Sequence, residues 1–484
     1  MTTFITYFYF RKMINNTLKR CFDDNFTYKK TPNQTKALEK LEAFLQSPLI
    51  NEAFLLKGYA GTGKTSLVGA LVKSLAQLNK KTLLLAPTGR AAKVFSLYAQ
   101  QKAYTIHRII YRQRKYGEEE LGFERGKNLR KDTLFVVDEA SMISDVSMSG
   151  TAFGSGRLLY DLIHYVYTGV NCRLILMGDV AQLPPVGLTS SPALDPIVLE
   201  GYRLHVTEET LMQIVRQQQD SGILFNATHL REALRSGEVE IYPKLKIEGF
   251  EDFRQVSGLD MLEELSTAYS RDGKEETMVI TRSNKRANAF NKGIRNQIFY
   301  AEEELNGGDW LMVTKNNYHW MEGNKQMDFI ANGEIVQVKC VRNTQELYGC
   351  RFADVTVAFP DYETEVDLKV LLDTLSADSP SLPRSENERL FHAIMDDYEE
   401  IPTQGQRMKA LKADAFYNAL QIKFAYAITC HKAQGGQWMN VFIDIGYMTE
   451  EMLGEDFYRW LYTAITRATS RIYMVNLPKE FREE

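Results

Sequence analysis

Eight residues near position 60 have the composition and spacing of a phosphate-binding loop. The run GYAGTGKT at 58–65 follows the pattern GxxxxGKT. Glycines in such a turn let backbone N–H groups point inward at phosphate oxygens. The lysine then reaches the terminal phosphates, and the threonine hydroxyl binds Mg²⁺. The run therefore predicts a site for a nucleoside triphosphate such as ATP, formed by Gly58, Ala60, Gly61, Thr62, Gly63, Lys64, Thr65 and Ser66.

Two adjacent acidic residues provide the chemistry that hydrolysis of that nucleotide requires. Asp138 and Glu139 follow the apolar run LFVV at 134–137. A carboxylate there can bind the same Mg²⁺ as Thr65, and its neighbour can take a proton from water. We assign Asp138 to the metal ion and Glu139 to the general base. The pair predicts turnover and not nucleotide binding alone.

Three further residues complete the predicted catalytic set of Lys64, Asp138 and Glu139. Gln182, in GDVAQLPPV, follows another apolar run and is placed to contact the γ-phosphate. Arg216 in LMQIVRQ and Arg467 in LYTAITRATS each offer a guanidinium for the charge that develops during phosphoryl transfer. Both arginines lie outside the first αβ segment, so hydrolysis is expected to be coupled to domain movement.

Short apolar runs that alternate with helical patterns are typical of parallel sheets covered on both faces. Four such runs occur at 54–57, 82–86, 134–137 and 173–177, and the motifs follow their carboxyl ends, where α/β proteins bind ligands. A second αβ pattern begins near 216 and resumes after 421, with β-rich texture between. A polar stretch after His107, with three glycines, predicts a small hairpin.

The order of the motifs resembles that of superfamily 1 helicases. The series is GYAGTGKT, LAPTGRAAK, TIHR, VVDEASM, GDVAQLPPV, IVRQ, AITCHKAQG and YTAITRA, and it spans about residues 30 to 475. Within that superfamily it resembles the RecD/Dda branch, superfamily 1B. The resemblance implies an ATP-dependent DNA helicase that moves 5′ to 3′ on single-stranded DNA and unwinds duplex DNA. Because only 57 residues precede Gly58, we expect a partner-independent, Dda-like helicase and not a nuclease subunit.

The resemblance also implies an α/β fold of two tandem RecA-like domains with two inserts. The expected divisions are an N-terminal extension at 1–30, a first domain at 31–215, and a second domain at 216–299 and 421–484. A small wedge that splits the duplex is expected within the first domain at about 111–132, with Tyr116 or Phe123 against the fork. An SH3-like barrel with a helical elaboration at 384–415 is expected at 300–420.

Individual residues take further roles from the same resemblance. Gln34, ahead of the phosphate loop, matches the glutamine that reads adenine, and Gln434 and Gly435 match a loop that approaches the nucleotide. Hydroxyls, short polar groups and helix N-termini suit contact with DNA phosphates and sugars. The matching DNA-binding positions are Pro87, Thr88, Arg90, Thr105, His107, Ser283, Asn284, Thr429, His431 and Lys432.

Composition limits what else the chain can be. A net charge of −4 argues against coating nucleic acid through bulk charge, although a local basic groove stays compatible with a motor. Five scattered cysteines without CxxC spacing argue against a zinc framework and suit a reducing compartment, so we expect a cytoplasmic protein. No run reaches the roughly 18 apolar residues of a membrane span. The apolar start at 1–10 lacks the charge order of a signal peptide, and initiation at Met13 is a simple explanation.

Expected partners are single-stranded and forked DNA and replication or repair proteins, and we expect a monomer. Three alternatives stay open. The same motor could act on RNA or RNA–DNA hybrids, since the predicted contacts do not read the 2′-OH. A P-loop ATPase of another class, or a translocase that needs a partner, would share the nucleotide site. A binding module without turnover is disfavoured by the pair Asp138 and Glu139.

Overall fold

The structure is a computed structural model that describes residues 17–113, 123–147, 154–215, 221–321, 327, 329–360 and 362–483. The chain forms two compact units. Unit 1 contains the described residues up to Lys246 together with Gln434–Gly436 and Glu450–Thr466. Unit 2 contains Ile247–Ala433, Gln437–Thr449 and the residues from Arg467 onward. The two short segments of unit 1 are therefore contributed by the C-terminal part of the chain.

Unit 1 is built on a parallel sheet with a small hairpin beside it. Its strands are β1 (Glu52–Gly58), β2 (Lys81–Ala86), β3 (Ala103–Thr105), β4 (Tyr111–Gln113), β5 (Phe123–Arg125), β6 (Thr133–Val137), β7 (Arg173–Gly178) and β8 (His205–Leu211). Six of them form one sheet in the order β3-β2-β6-β7-β1-β8, in which every pair is parallel. β4 and β5 pair antiparallel, which confirms the predicted hairpin. Tyr116 lies outside the described residues, and Phe123 begins β5.

The strands of this sheet are apolar because both faces are covered by helices. The α-helices of unit 1 are Pro32–Gln46, Lys64–Gln77, Gly89–Ala99, Ile106–Ile110, Leu158–Thr168, Pro196–Gly201, Gly222–Ser236 and Glu455–Ile465. A further helical stretch at 17–25 places Leu18 and Phe22 in the same core as Phe54 and Val136. Residues 17–25, which the sequence assigned to an extension, therefore pack as part of unit 1.

Unit 2 contains a second parallel sheet and a closed barrel. Its strands are β9 (Phe253–Val256), β10 (Thr277–Thr281), β11 (Trp310–Val313), β12 (Ile335–Leu347), β13 (Cys350–Phe359), β14 (Thr364–Leu371), β15 (Leu420–Phe424), β16 (Ala427–Thr429), β17 (Trp438–Asp444) and β18 (Ala468–Val475). The sheet has the order β16-β10-β17-β18-β9, and all its pairs are parallel. Strands β11 to β15 close the barrel. Two parallel sheets and a five-stranded barrel confirm the predicted fold class.

Helices accompany both parts of unit 2. They are Met261–Asp272, Asn284–Gln297, Asp373–Ser376, Arg384–Asp396, Gln404–Ala413 and the short Cys430–Ala433. Arg384–Asp396 and Gln404–Ala413 form the predicted helical elaboration. Leu390, Ile394 and Leu411 from these helices pack against Phe352 and Leu371 of the barrel strands, so the elaboration shares a core with the barrel.

Two further boundaries differ from the predicted ones. β15 pairs with β11 and β14, so the barrel runs to Phe424 instead of ending at 420. The compact unit that holds the phosphate loop extends to Lys246 and not to 215, and it takes in Glu450–Thr466. Within the described part of the chain, no helix has the length and apolar character needed to cross a bilayer.

Candidate nucleotide site and strand-end polar residues

The phosphate loop joins β1 to the Lys64–Gln77 helix and is shaped by glycine. Gly61 and Gly63 have φ of +76° and +80°, a left-handed conformation that favours glycine. A Cβ on Gly58 would lie 2.9 Å from Cγ of Lys64, so the lysine side chain passes directly over the first residue of the turn. Nζ of Lys64 donates to the carbonyl oxygens of Gly58 and Tyr59. The first residue of the helix, Lys64, therefore places its ammonium group over the phosphate loop.

Gln34 is buried and connects the Pro32–Gln46 helix to the phosphate loop. Its backbone N–H and side-chain oxygen form a capping box with Thr31. Its Nε2 donates to the carbonyl of Thr62 at 3.0 Å, and a Cβ on Gly63 would lie 2.8 Å from that nitrogen. The glutamine thus supports the loop directly. Its predicted contact with adenine stays a prediction.

Asp138 follows β6, and Glu139 continues the turn with φ +51°. An oxygen of Asp138 accepts the backbone N–H of Glu139 at 2.8 Å. Burial and the Glu139 carboxylate raise the pKa of Asp138 to about 7, while Lys64 and a hydrogen bond with the Thr65 hydroxyl oppose that shift. The structure thus brings Lys64, Thr65, Asp138 and Glu139 to the carboxyl edge of one sheet, as the sequence predicted.

The turn after β7 is also ordered by its own side chains. Oδ1 of Asp179 accepts the backbone N–H of Ala181 at 2.9 Å. Gln182 is buried, and no described residue donates a hydrogen bond to its Oε1. A buried amide oxygen without a donor costs free energy, so this atom is suited to receive a donor such as a bound water.

Tyr462 is a component of the site that the sequence analysis missed. Its hydroxyl accepts the backbone N–H of Ala60 at 2.8 Å and donates to Oδ2 of Asp179 at 2.6 Å. It lies on the Glu455–Ile465 helix of unit 1 and is fully buried. Its only signal in the sequence was its place in YTAITRA, five residues before Arg467.

Two hydroxyls predicted to contact DNA in unit 1 begin helices. Thr88 accepts the backbone N–H of Ala91, and Thr105 accepts that of Arg108. A capping hydroxyl uses an oxygen lone pair, so its own hydrogen stays available to a phosphate. Pro87 and Arg90 flank Thr88 and are partly buried.

His107 follows on the Ile106–Ile110 helix, with its ring 5.6 Å from that of Tyr111. Burial lowers the pKa of His107 to about 4, so the imidazole is neutral near pH 7. A neutral imidazole contacts nucleic acid by hydrogen bonding and not through charge.

Gly435 lies beside these residues. A Cβ added to it would be 2.9 Å from Cβ of Ala91 and 3.1 Å from the Thr88 hydroxyl. The neighbouring Gln434 donates to the carbonyl of Leu183 at 2.7 Å. The predicted contact of Gly435 with nucleotide stays a prediction, because the contacts described here are with the start of the Gly89–Ala99 helix.

In unit 2, predicted DNA-binding residues stand at the carboxyl ends of β10 and β16. Ser283 caps the helix that Asn284 begins, and it accepts the N–H of Arg286. Thr429 ends β16, and His431 and Lys432 follow.

The ammonium of Lys432 is buried and has no hydrogen-bond partner among the described residues. Burial lowers the pKa of Lys432 to about 8, and the charge of Lys423 adds to this effect. A buried cation without a partner is suited to receive an anion such as a DNA phosphate.

Two family models match this chain. An AAA domain matches residues 31–251, and a UvrD-like helicase C-terminal domain matches residues 424–475. The ATP-dependent DNA helicase Dda of Enterobacteria phage T4 is 23% identical, over 87% of this chain and 93% of its own. The ATP-dependent RecD2 DNA helicase of Deinococcus radiodurans is 24% identical, over 87% of this chain. In these matches and in the order of its motifs, the chain is similar to the superfamily 1B helicases.

Two further comparisons give the extent of the likeness. An uncharacterised protein of Methanocaldococcus jannaschii is 25% identical to this chain over 95% of its length. The chain spans only 39% of that relative and 46% of RecD2. The Pif1 helicase from Bacteroides, solved with ADP-AlF3 and single-stranded DNA, is 15% identical with a TM-score of 0.48, over 94% of both chains.

The structure describes only one of the two arginines that are predicted to act in catalysis. Arg216 lies outside the described residues. Arg467 precedes β18 in unit 2 and is 3% exposed. Burial raises the pKa of the neighbouring Cys430 thiol to about 12, and the charge of Arg467 partly opposes that shift. The role of either arginine in hydrolysis stays a prediction.

Proposed function

We propose that this protein is a superfamily 1B helicase that hydrolyses ATP to move 5′ to 3′ along single-stranded DNA and to separate duplex DNA. The observation that carries the proposal is the convergence of Lys64, Thr65, Asp138 and Glu139 at one sheet edge, in a chain whose motifs follow the helicase order. The 5′ to 3′ direction rests on the likeness to the RecD/Dda branch.

Residues at the sheet edge fit a Mg²⁺ ion. The Thr65 hydroxyl and the Asp138 carboxylate are already in contact, and hydroxyl and carboxylate oxygens are the ligands that Mg²⁺ takes beside substrate phosphates. The buried Ser141 hydroxyl next to them has no partner in the described part of the chain. We assign Thr65 and Asp138 as metal ligands. The ion would neutralise charge on the transferred phosphoryl group.

The side chains then have separate tasks. Lys64 turns from the loop carbonyls to the terminal phosphates of ATP. Glu139 accepts a proton from the attacking water, and the amide oxygen of Gln182 accepts that water's second hydrogen. Arg216 and Arg467 are proposed to stabilise negative charge on the transferred group.

The proposed DNA contacts use the helix starts and the polar residues already described. The hydroxyls of Thr88, Thr105, Ser283 and Thr429 donate to phosphate oxygens, as does the ammonium of Lys432. These groups bind backbone and do not read sequence. A reducing, cytoplasmic location is proposed because all five cysteines are free thiols.

Strand separation on two partial duplexes tests the function. One DNA carries a 5′ single-stranded tail and the other a 3′ tail, and each is incubated with the full chain, ATP and Mg²⁺. Opening of the 5′-tailed DNA alone is expected. Opening of the 3′-tailed DNA alone would overturn the direction. ATP hydrolysis that DNA stimulates without opening either duplex would indicate a translocase that needs a partner, and an RNA-tailed duplex then tests the RNA alternative.

A further inference from the structure

A dense set of hydrogen bonds joins the turn after β7 to the Glu455–Ile465 helix within unit 1. Oγ1 of Thr463 accepts the backbone N–H of Leu183 at 2.8 Å, and Arg459 donates to the carbonyl of Val180. Asp179, at the start of the turn, accepts the Tyr462 hydroxyl. Three side chains within little more than one helical turn therefore hold residues 179–183 to one face of this helix.

The Tyr462 hydroxyl is the point at which this network meets the phosphate loop. A hydroxyl has one hydrogen, and here it goes to Asp179, while an oxygen lone pair receives the N–H of Ala60. Burial and the Asp179 charge hold the pKa of Tyr462 well above its usual value, so the hydroxyl keeps its proton. The hydrogen bonds therefore run in one direction, from loop to tyrosine to aspartate.

The backbone N–H of Ala60 is the group through which bound nucleotide would affect this network. Backbone N–H groups of such loops are the donors that hold phosphates. The single N–H of Ala60 now points at Tyr462, so a phosphate oxygen that takes this hydrogen weakens the bond to the hydroxyl. Phosphate binding to the loop would then change the hydrogen bonding of the Tyr462 hydroxyl and, through Asp179, that of the 179–183 turn.

The other end of the network approaches the DNA-binding residues along the chain. The carbonyl of Leu183 accepts Nε2 of Gln434 at 2.7 Å, and Gln434 is buried. Gln434 is two residues from Lys432 and three from His431, which are proposed DNA contacts. A continuous set of bonds thus runs from Ala60, through Tyr462 and residues 179–183, to the segment that carries these side chains.

We propose that Tyr462 is a positioning residue whose hydroxyl couples the phosphate loop to the DNA-binding segment through the 179–183 turn. The coupling to DNA rests on the proposed function, whereas the coupling to nucleotide does not. A series of hydrogen bonds does not by itself establish energetic coupling between two sites. A variant that removes one of these hydrogen bonds tests the coupling.

Tyr462→Phe removes the hydroxyl and keeps the ring. Tyr458→Phe is the matched control, because Tyr458 is also buried on this helix and its hydroxyl bonds to the backbone of Glu240 instead. We measure ATP hydrolysis with and without single-stranded DNA. Tyr462→Phe is expected to lower the ratio of DNA-stimulated to basal turnover by roughly three-fold to thirty-fold, and Tyr458→Phe to leave it unchanged. An equal fall in both variants, or none in Tyr462→Phe, would overturn the proposal.

Thr463→Val provides a second link if Tyr462→Phe folds poorly. It replaces a hydroxyl that accepts Leu183 with a methyl group of similar size. It should lower the same ratio, and the double variant should lose no more than the more damaging single change. A double variant whose loss equals the product of the two single losses would contradict a shared network.

Hydrogen–deuterium exchange in the absence of DNA tests the coupling between nucleotide binding and the 179–183 turn. A non-hydrolysable ATP analogue with Mg²⁺ is expected to change exchange in peptides that cover 179–186 in the unsubstituted protein and in Tyr458→Phe, but not in Tyr462→Phe. The same change in all three proteins would overturn the coupling role. Loss of DNA stimulation in the unsubstituted protein would instead refute the proposed function, and the exchange result would still decide the role of Tyr462.

Discussion

In both parallel sheets of this protein an interior strand leads to an aspartate, but the two aspartates have opposite surroundings. In unit 1, Asp138 follows the interior strand β6 and has Glu139 beside it. In unit 2, Asp444 ends the interior strand β17, and both its oxygens accept from Arg286, at 2.8 Å from Nε and 2.6 Å from Nη2. One carboxylate stands next to like charge and the other is neutralised by a guanidinium. The Asp138 carboxylate is therefore the one suited to bind a metal ion.

The helices that follow β1 and β10 also differ, in whether a side chain caps their first N–H groups. The Lys64–Gln77 helix begins after Gly63, whose lack of a side chain leaves the first N–H groups without a side-chain cap. The Asn284–Gln297 helix begins after Ser283, whose hydroxyl already occupies the N–H of Arg286. Open N–H groups attract anions, and capped ones do so less. The repeated architecture therefore has an open edge at Asp138 and Lys64, and a closed edge at Asp444 and Ser283, where the carboxylate and the first helix turn already have partners within the chain.

The largest expected effect comes from removing the cation of the open edge. Lys64→Ala should lower the kcat of ATP hydrolysis by at least about a hundredfold, because a donor aimed at developing charge is lost. Binding of fluorescent single-stranded DNA, measured by anisotropy without nucleotide, should stay within about two-fold. Retained turnover would refute the assignment of Lys64.

Glu139→Gln should lower kcat by roughly 10² to 10⁴, because the amide cannot accept the proton of water. Nucleotide affinity, measured by titration with a fluorescent ATP analogue, should change little, and this separates the variant from a loss of the site. If turnover survived the substitution, another group would be the general base. The adjacent acids Asp138 and Glu139 would then need a different functional explanation.

Asp444→Asn is the corresponding change at the closed edge, and its effect should appear in stability. It leaves the Arg286 guanidinium without its charged partner. Because the Arg286 side chain is 49% exposed, water screens much of that loss, so we expect the free energy of unfolding to fall by about 1 kcal/mol. Urea denaturation measures this. A hundredfold fall in kcat, comparable with Glu139→Gln, would show that the two edges are not different in kind.

The smallest effect tests whether Ser283 serves DNA or only its helix. Ser283→Gly should cost the helix only a few tenths of a kcal/mol, whereas Ser283→Ala should cost about 1 kcal/mol. Both variants lose the hydroxyl that is proposed to donate to phosphate. An equal, roughly two-fold to ten-fold weakening of single-stranded DNA binding in both would support the contact. Weakening in the alanine variant alone would assign Ser283 to capping.

The sequence could predict the open edge because its determinants are local. GYAGTGKT and the pair Asp138 and Glu139 each follow an apolar run, and parallel strands necessarily bring their carboxyl ends together. The two sheets and the barrel followed from the same alternation and from the family likeness. Gln34 was predicted to contact adenine, which stays a prediction, whereas its hydrogen bond to the Thr62 carbonyl of the phosphate loop is visible only in the structure.

Contacts between distant parts of the chain could not be predicted in this way. Tyr462 meets Ala60 across a separation of 402 residues, and nothing in either segment alone specifies the other. Only Ala425 and Tyr426 separate β15 from β16, so the apolar pattern of β15 did not reveal that it belongs to the barrel. Pairing depends on which neighbour covers an apolar strand, and that is decided by tertiary packing.

The contribution of Glu450–Thr466 to unit 1 has a consequence for biosynthesis. A ribosome delivers residues 17–246 first, but the helix that receives Ala60 and the 179–183 turn emerges only after the barrel and four of the five strands of the second sheet. Domains commonly fold as they are synthesised, from the N-terminus onward. Here the phosphate loop acquires its Tyr462 partner only after a further 402 residues have been synthesised, so an N-terminal fragment that ends at Lys246 would lack this contact.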